Sequence, residues 1–209
     1  MIENAVEELL SGIKVGEFEI YAEKYPGRFP NETLLEIFIE KGSLRDHLLY
    51  ARVYFGRRYY SSWVEVSSIN LTPNVGLLYF NSPVEETLLE LFASHLKPGE
   101  HIFVSYVEDL ETKRALYFGA PAPTTRLGFK LFNLGFTWFK DWYFPEGFKE
   151  GGEKLQAEKP LNEEQRRVHL LNIKKELEEF LERGEIRDKY LLEALKRAQM
   201  LLNSLNELI

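Results

Sequence analysis

The sequence of 209 residues predicts a mixed α/β fold followed by a C-terminal helical hairpin. Three observations carry this. Two runs rich in β-branched and aromatic residues, Leu48–Phe55 and Tyr59–Asn70, flank Gly56-Arg57-Arg58 and read as an antiparallel hairpin. From Gly76 to Lys159, extended runs alternate with helical apolar spacing, the order expected of a sheet interleaved with helices. After Pro160 the apolar residues recur in steps of three and four to the end of the chain.

The elements follow in order. Ile2, Val6, Leu9 and Leu10 predict a helix over Met1–Leu10 that stops at Ser11-Gly12. Val15–Tyr21 reads as a strand, and Pro26, Gly27 and Pro30 mark Lys24–Asn31 as a loop. Asn31 is placed to cap a helix through Glu40, with Leu34, Leu35, Phe38 and Ile39 as its apolar side. Beyond the hairpin, Pro73-Asn74 is a turn and Gly76–Phe80 a short strand. Ser82, Pro83 and Glu85 then spell an N-cap, a first-turn proline and a capping box for a helix over Val84–Leu96. His101–Val107 is a strand and Glu111–Phe118 a helix, broken by Gly119, Pro121 and Pro123. Thr124 or Thr125 caps the next helix, which stops at Gly135, and Phe136–Phe144 and Glu153–Lys159 are the last strands. These elements make residues 1–160 one α/β domain, with residues 161–209 an appended αα-hairpin. Packing on the chain's own body and contribution to a homodimer interface both remain open for that hairpin.

Composition narrows the function. No run approaches a membrane span, and the N-terminus lacks the basic start and apolar core of a signal peptide, so a cytoplasmic protein is expected. The absence of cysteine excludes disulfides, thiolate nucleophiles and cysteine metal sites. A net charge of −7 opposes broad attraction to nucleic acid, and the ten acidic and nine basic side chains after Pro160 nearly balance. His47, His95, His101 and His169 are dispersed, which leaves no metal-ligating spacing. There is no GxxxxGK[ST], GxGxxG or GxSxG.

The candidate site lies in the aromatic, glycine-interrupted stretch Leu127–Pro160, whose bulk and adaptable backbone suit a concave surface for a small molecule. On an extended Phe136–Phe144, Lys140 and Trp142 share one face, joined by Trp138, while Asp141 and Tyr143 share the other. Asp141 is placed to act as a general base and Tyr143 to protonate a leaving group; an edge-strand ion pair is the ordinary alternative. Gln156, on the adjoining strand, adds a polar ligand contact. Arg126, in the small-residue loop Gly119–Gly128, offers a fork of donors for a carboxylate or phosphate, or pairs with one of the chain's many surface acids. Asn81 and Ser82, at a strand-to-helix junction, could hold an anion on backbone N–H groups, although Glu85 and Glu86 in the first turn oppose a phosphate there.

The segment TTRLGFKLFNLGFTWFKDWYFPEGFKEGGEKLQAEKP resembles the signature region of a small, mostly archaeal family of uncharacterised proteins. That family is similar to a remote branch of the acyl-coenzyme A N-acyltransferase superfamily, and the resemblance spans Leu71–Pro160. It implies a bulged strand at Gly76–Phe80, a helix start at Ser82–Glu86 that cradles the coenzyme pyrophosphate, and Tyr143 near the departing thiol. The superfamily's arginine/glutamine-and-glycine phosphate loop is missing here. The resemblance implies transfer of an acyl group from acyl-coenzyme A to a small amine. The alternatives are a noncatalytic small-molecule-binding or homo-oligomeric module, and a transferase that uses another nucleotide-bearing cofactor.

Overall fold

The structure, a computed structural model, describes residues 1–55, 68–73, 82–105, 107, 109–142, 154–185 and 188–208. It is a mixed α/β protein that divides into two compact units, Met1–Tyr106 and Val107–Ile209. Among the described residues no helix is long and apolar enough to cross a membrane.

The first unit opens with helix α1 (Ile2–Ser11), which buries Ile2, Ala5, Val6 and Leu9. It ends at Gly12, whose φ of 90° few side-chain-bearing residues adopt. Strands β1 (Ile13–Val15), β2 (Phe18–Pro26), β3 (Glu32–Lys41), β4 (Leu44–Tyr54) and β5 (Ser68–Pro73) form an antiparallel meander. Helix α2 (Pro83–His95) then crosses over to β6 (His101–Ser105), which lies parallel to β5. Ser82 takes the N-cap position and Pro83 the first turn, and Val84, Leu88, Leu91 and Phe92 are buried.

The segment expected to be a helix from Asn31 is instead strand β3. Leu35, Ile37 and Ile39, spaced by two, are almost fully buried on one face of the sheet. The strand is central, paired with β2 on one side and β4 on the other, and its second face also carries apolar Leu34 and Phe38. With both faces apolar, the residues mimic helical spacing while the β-branched isoleucines favour the strand. The loop expected over Lys24–Asn31 is shortened for the same reason, because β2 runs on to Pro26, opposite Thr33. The expected turn Gly56-Arg57-Arg58 and strand Gly76–Phe80 lie outside the described residues.

The second unit holds α3 (Leu110–Tyr117), a 3-10 turn (Ala122–Thr124), α4 (Arg126–Asn133), the antiparallel pair β7 (Trp138–Trp142) and β8 (Lys154–Glu158), and α5 (Glu163–Arg183) and α6 (Lys189–Leu208). Thr125 caps α4, as the sequence suggests: its hydroxyl oxygen accepts from the Gly128 N–H at 3.1 Å. A Cβ on Gly128 would sit 1.8 Å from the Ala122 carbonyl oxygen, so helix and turn can approach this closely only at a glycine. Asn162 caps α5 by accepting from Gln165 N–H, and Gly184, in the left-handed region, ends it. Leu170, Ile173, Leu177 and Phe180 of α5 meet Leu191, Ala194, Ala198, Leu201 and Leu205 of α6 in one core, joined by Ala115 and Ala120. The buried stripe of α6 thus runs through Ala194 and Leu201, with Leu195 and Leu202 at its flank. The hairpin therefore packs within its own unit: Arg197 donates to Glu111 at 2.7 Å and to the Thr124 carbonyl at 3.3 Å.

Candidate functional site

The sequence-designated residues of the second unit separate into three places. Arg126 is buried: its Nε donates to Asp109 Oδ2 at 2.8 Å, with both side chains only 8% exposed. Asp109 is also the N-cap of α3, accepting from the Glu111 and Thr112 N–H groups, and the Thr112 hydroxyl donates to it. Thr112 in turn accepts from the Leu127 N–H at 3.0 Å. This network ties the starts of α3 and α4 together. Arg126 does pair with an acid, but with the buried Asp109 and not with a surface acid as expected.

The other two places are the opposite faces of β7. Lys140 stands directly across the ladder from Gln156, with Trp138 across from Glu158 on the same face. Gln156 is buried and Lys140 exposed. Trp142 closes the ladder opposite Lys154. Phe139 and Asp141 alternate to the other face, where Phe139 packs against the helical core. Asp141 and Lys140 are therefore not members of one constellation. Ser82 belongs to the first unit, at the start of α2, where Glu85 and Glu86 occupy the first turn. Tyr143 and Asn81 lie outside the described residues.

The face of β7 that carries Phe139 and Asp141 borders a cleft of about 790 Å³, closed by the end of α3, the loop through Gly119–Ala122 and helix α5. From α5 come Glu176, Glu179, Phe180, Glu182 and Arg183. Sequence reading assigned α5 to the hairpin core alone and missed these residues. The signal was present: Glu176, Glu179 and Arg183 stand at i, i+3 and i+7 and share one helix face. Arg183 lies along the rim, its Nη2 donating to the Gly119 carbonyl at 3.0 Å and its guanidinium 5.4 Å from the Phe180 ring centre.

The electrostatics of the cleft are unbalanced. Desolvation pushes the Asp141 carboxyl above its ordinary value. Desolvation also raises that of Glu176, and the neighbouring charges of Asp141 and Glu179 push it further. Both residues keep solvent exposure, so water screens much of this repulsion. Behind β7, His169 of α5 is buried with its Nδ1 at 2.8 Å from the Thr137 hydroxyl, and burial lowers its pKa. Among the described residues no three His, Cys, Asp or Glu side chains converge as metal ligands would.

Fold and cleft together define a mixed α/β protein with a ligand-sized concavity in its helix-rich second unit. Residues 16–184 match the family described as "Protein of unknown function (DUF1122)", and the chain belongs to that family. It is similar, at 37% identity and a TM-score of 0.77, to a protein of unknown function from Aquifex aeolicus VF5 whose crystal structure is known; the likeness covers 96% of this chain and 98% of the other. Comparison with curated proteins gave no match.

Proposed function

We propose that the protein binds a small molecule in the cleft between β7 and α5, without itself carrying out chemistry on it. The observation that carries this reading is the concavity: about 790 Å³, walled by Phe139 and Phe180 and edged by convergent polar groups. Sites for small ligands are built in this way and at this size. Titrating a library of fragments against the protein while following its backbone amides by NMR tests the reading. Saturable shifts at Gly119, Phe139 and Phe180 are expected; a library that leaves all three unmoved would sink the proposal.

One observation favours a second reading, transfer of an acyl group from acyl-coenzyme A to a small amine. In the first unit β5 is followed by α2 and by β6 parallel to β5, a strand–helix–strand order similar to the one the resemblance implies, although the strand it places before the helix, Gly76–Phe80, lies outside the described residues. In that reading the amine nitrogen attacks the thioester carbonyl, Asp141 takes the amine proton, the C–S bond breaks and Tyr143 protonates the thiolate. The raised Asp141 carboxyl suits a base. Acid residues Glu85 and Glu86 at the helix start count against a pyrophosphate there. Calorimetry with acetyl-coenzyme A separates the readings: saturable binding supports transfer, and its absence leaves the binding module.

A further inference from the structure

Taking the cleft to be a ligand site, as proposed above, we infer that its ligand is an organic cation: an ammonium or amidinium group carried on an apolar or aromatic body.

Shape and chemistry in the cleft select this class together. Phe139 and Phe180 provide apolar and π surface, which an inorganic ion does not need and an organic body does. Asp141, Glu176, Glu179 and Glu182 supply four carboxylates against the single guanidinium of Arg183. An anionic ligand entering there would meet carboxylates already facing one another. The carboxylates do not converge closely enough, among the described residues, to wrap a metal ion. They are spread along a wall, an arrangement that suits a diffuse or extended positive group. The chain itself supplies a precedent, because Arg183 places a cation against the Phe180 ring and anchors it on the Gly119 carbonyl. A ligand cation would reproduce both contacts, one carboxylate or carbonyl partner and one aromatic face, beside Phe139 and Asp141. The upward push of the Asp141 and Glu179 charges on the Glu176 carboxyl fits the same picture, since a bound cation relieves that crowding.

Three probes of one shape and different charge test this: phenethylamine, 2-phenylethanol and 3-phenylpropionate, each titrated into the full-length protein and followed through the amides of Gly119, Phe139 and Glu176. The amine should bind at least about tenfold more tightly than the alcohol, and the acid should not bind. The double variant Asp141→Asn/Glu176→Gln, at two exposed positions where folding is checked by its melting curve, should lose about tenfold in amine affinity and keep its affinity for the alcohol. If the alcohol binds the cleft as tightly as the amine, the ligand site stands and its preference for a cation falls. If none of the three moves the cleft amides, the binding reading falls with it.

Discussion

Asp109 and Asp141 belong to the same unit and could hardly be placed more differently. Asp109 is sunk among an arginine, a threonine hydroxyl and two backbone N–H groups, so both carboxylate oxygens have donors. Asp141 faces a glutamate across an open cleft, and its carboxyl is held up by desolvation. A satisfied acid of the first kind maintains architecture; an acid held up by desolvation, at the edge of a concavity, is available to a partner. The contrast separates scaffold from site more sharply than residue type does.

Breaking the scaffold half should have the largest effect. Asp109→Ala removes the α3 cap and leaves Arg126 buried without its ion-pair partner Asp109, so urea unfolding should show a loss of about 4 kcal/mol. Adding Arg126→Met to that variant should recover part of it. A loss below about 1 kcal/mol would mean that Asp109 is no more embedded than Asp141.

Next in size is His169. Its folded-state pKa lies below the ordinary 6.5, so the unfolded chain takes up the proton first on acidification. Stability is then fully present above about pH 6.5, the unfolded value, and is progressively lost as pH drops below it. Thermal melts across that range should show the slope, and His169→Gln should flatten it; an unchanged slope in the variant would assign the pH dependence to other groups.

The smallest effect belongs to the cleft and has the opposite sign. A carboxyl with a raised pKa destabilises the fold increasingly as pH rises through its titration. Asp141→Asn or Glu176→Gln should therefore raise the melting temperature slightly near about pH 7, a gain kept small by solvent screening that fades toward acid pH as the acids take up protons. A loss of stability from Asp141→Asn, approaching that of Asp109→Ala, would erase the contrast.

Much of this was legible in the sequence and some was not, for reasons that can be located. Caps and glycines are local, so Thr125 before α4 and the helix stop at Gly12 could be read from single residues and their neighbours. The two faces of β7 followed from the period of a strand, which already separated Lys140 from Asp141. Strand β3 was misread because a central strand apolar on both faces loses its alternation. The partner of Arg126 was out of reach: the acid lies seventeen positions away along the chain, and nothing in either segment specifies the match. The acidic wall of α5 was visible as a helix-spaced stripe, but it becomes a cleft only when β7 and the loop at Gly119 are brought beside it.

The approach of α4 to the 3-10 turn at Gly128 has a further consequence, for descent instead of stability. With the Ala122 carbonyl where a side chain would begin, position 128 acts as a filter on the sequences that can share this joint. Any relative that keeps the turn and helix at this separation must keep glycine there. A larger residue at the matching place would report that the turn has moved away, and with it the loop that forms one wall of the cleft.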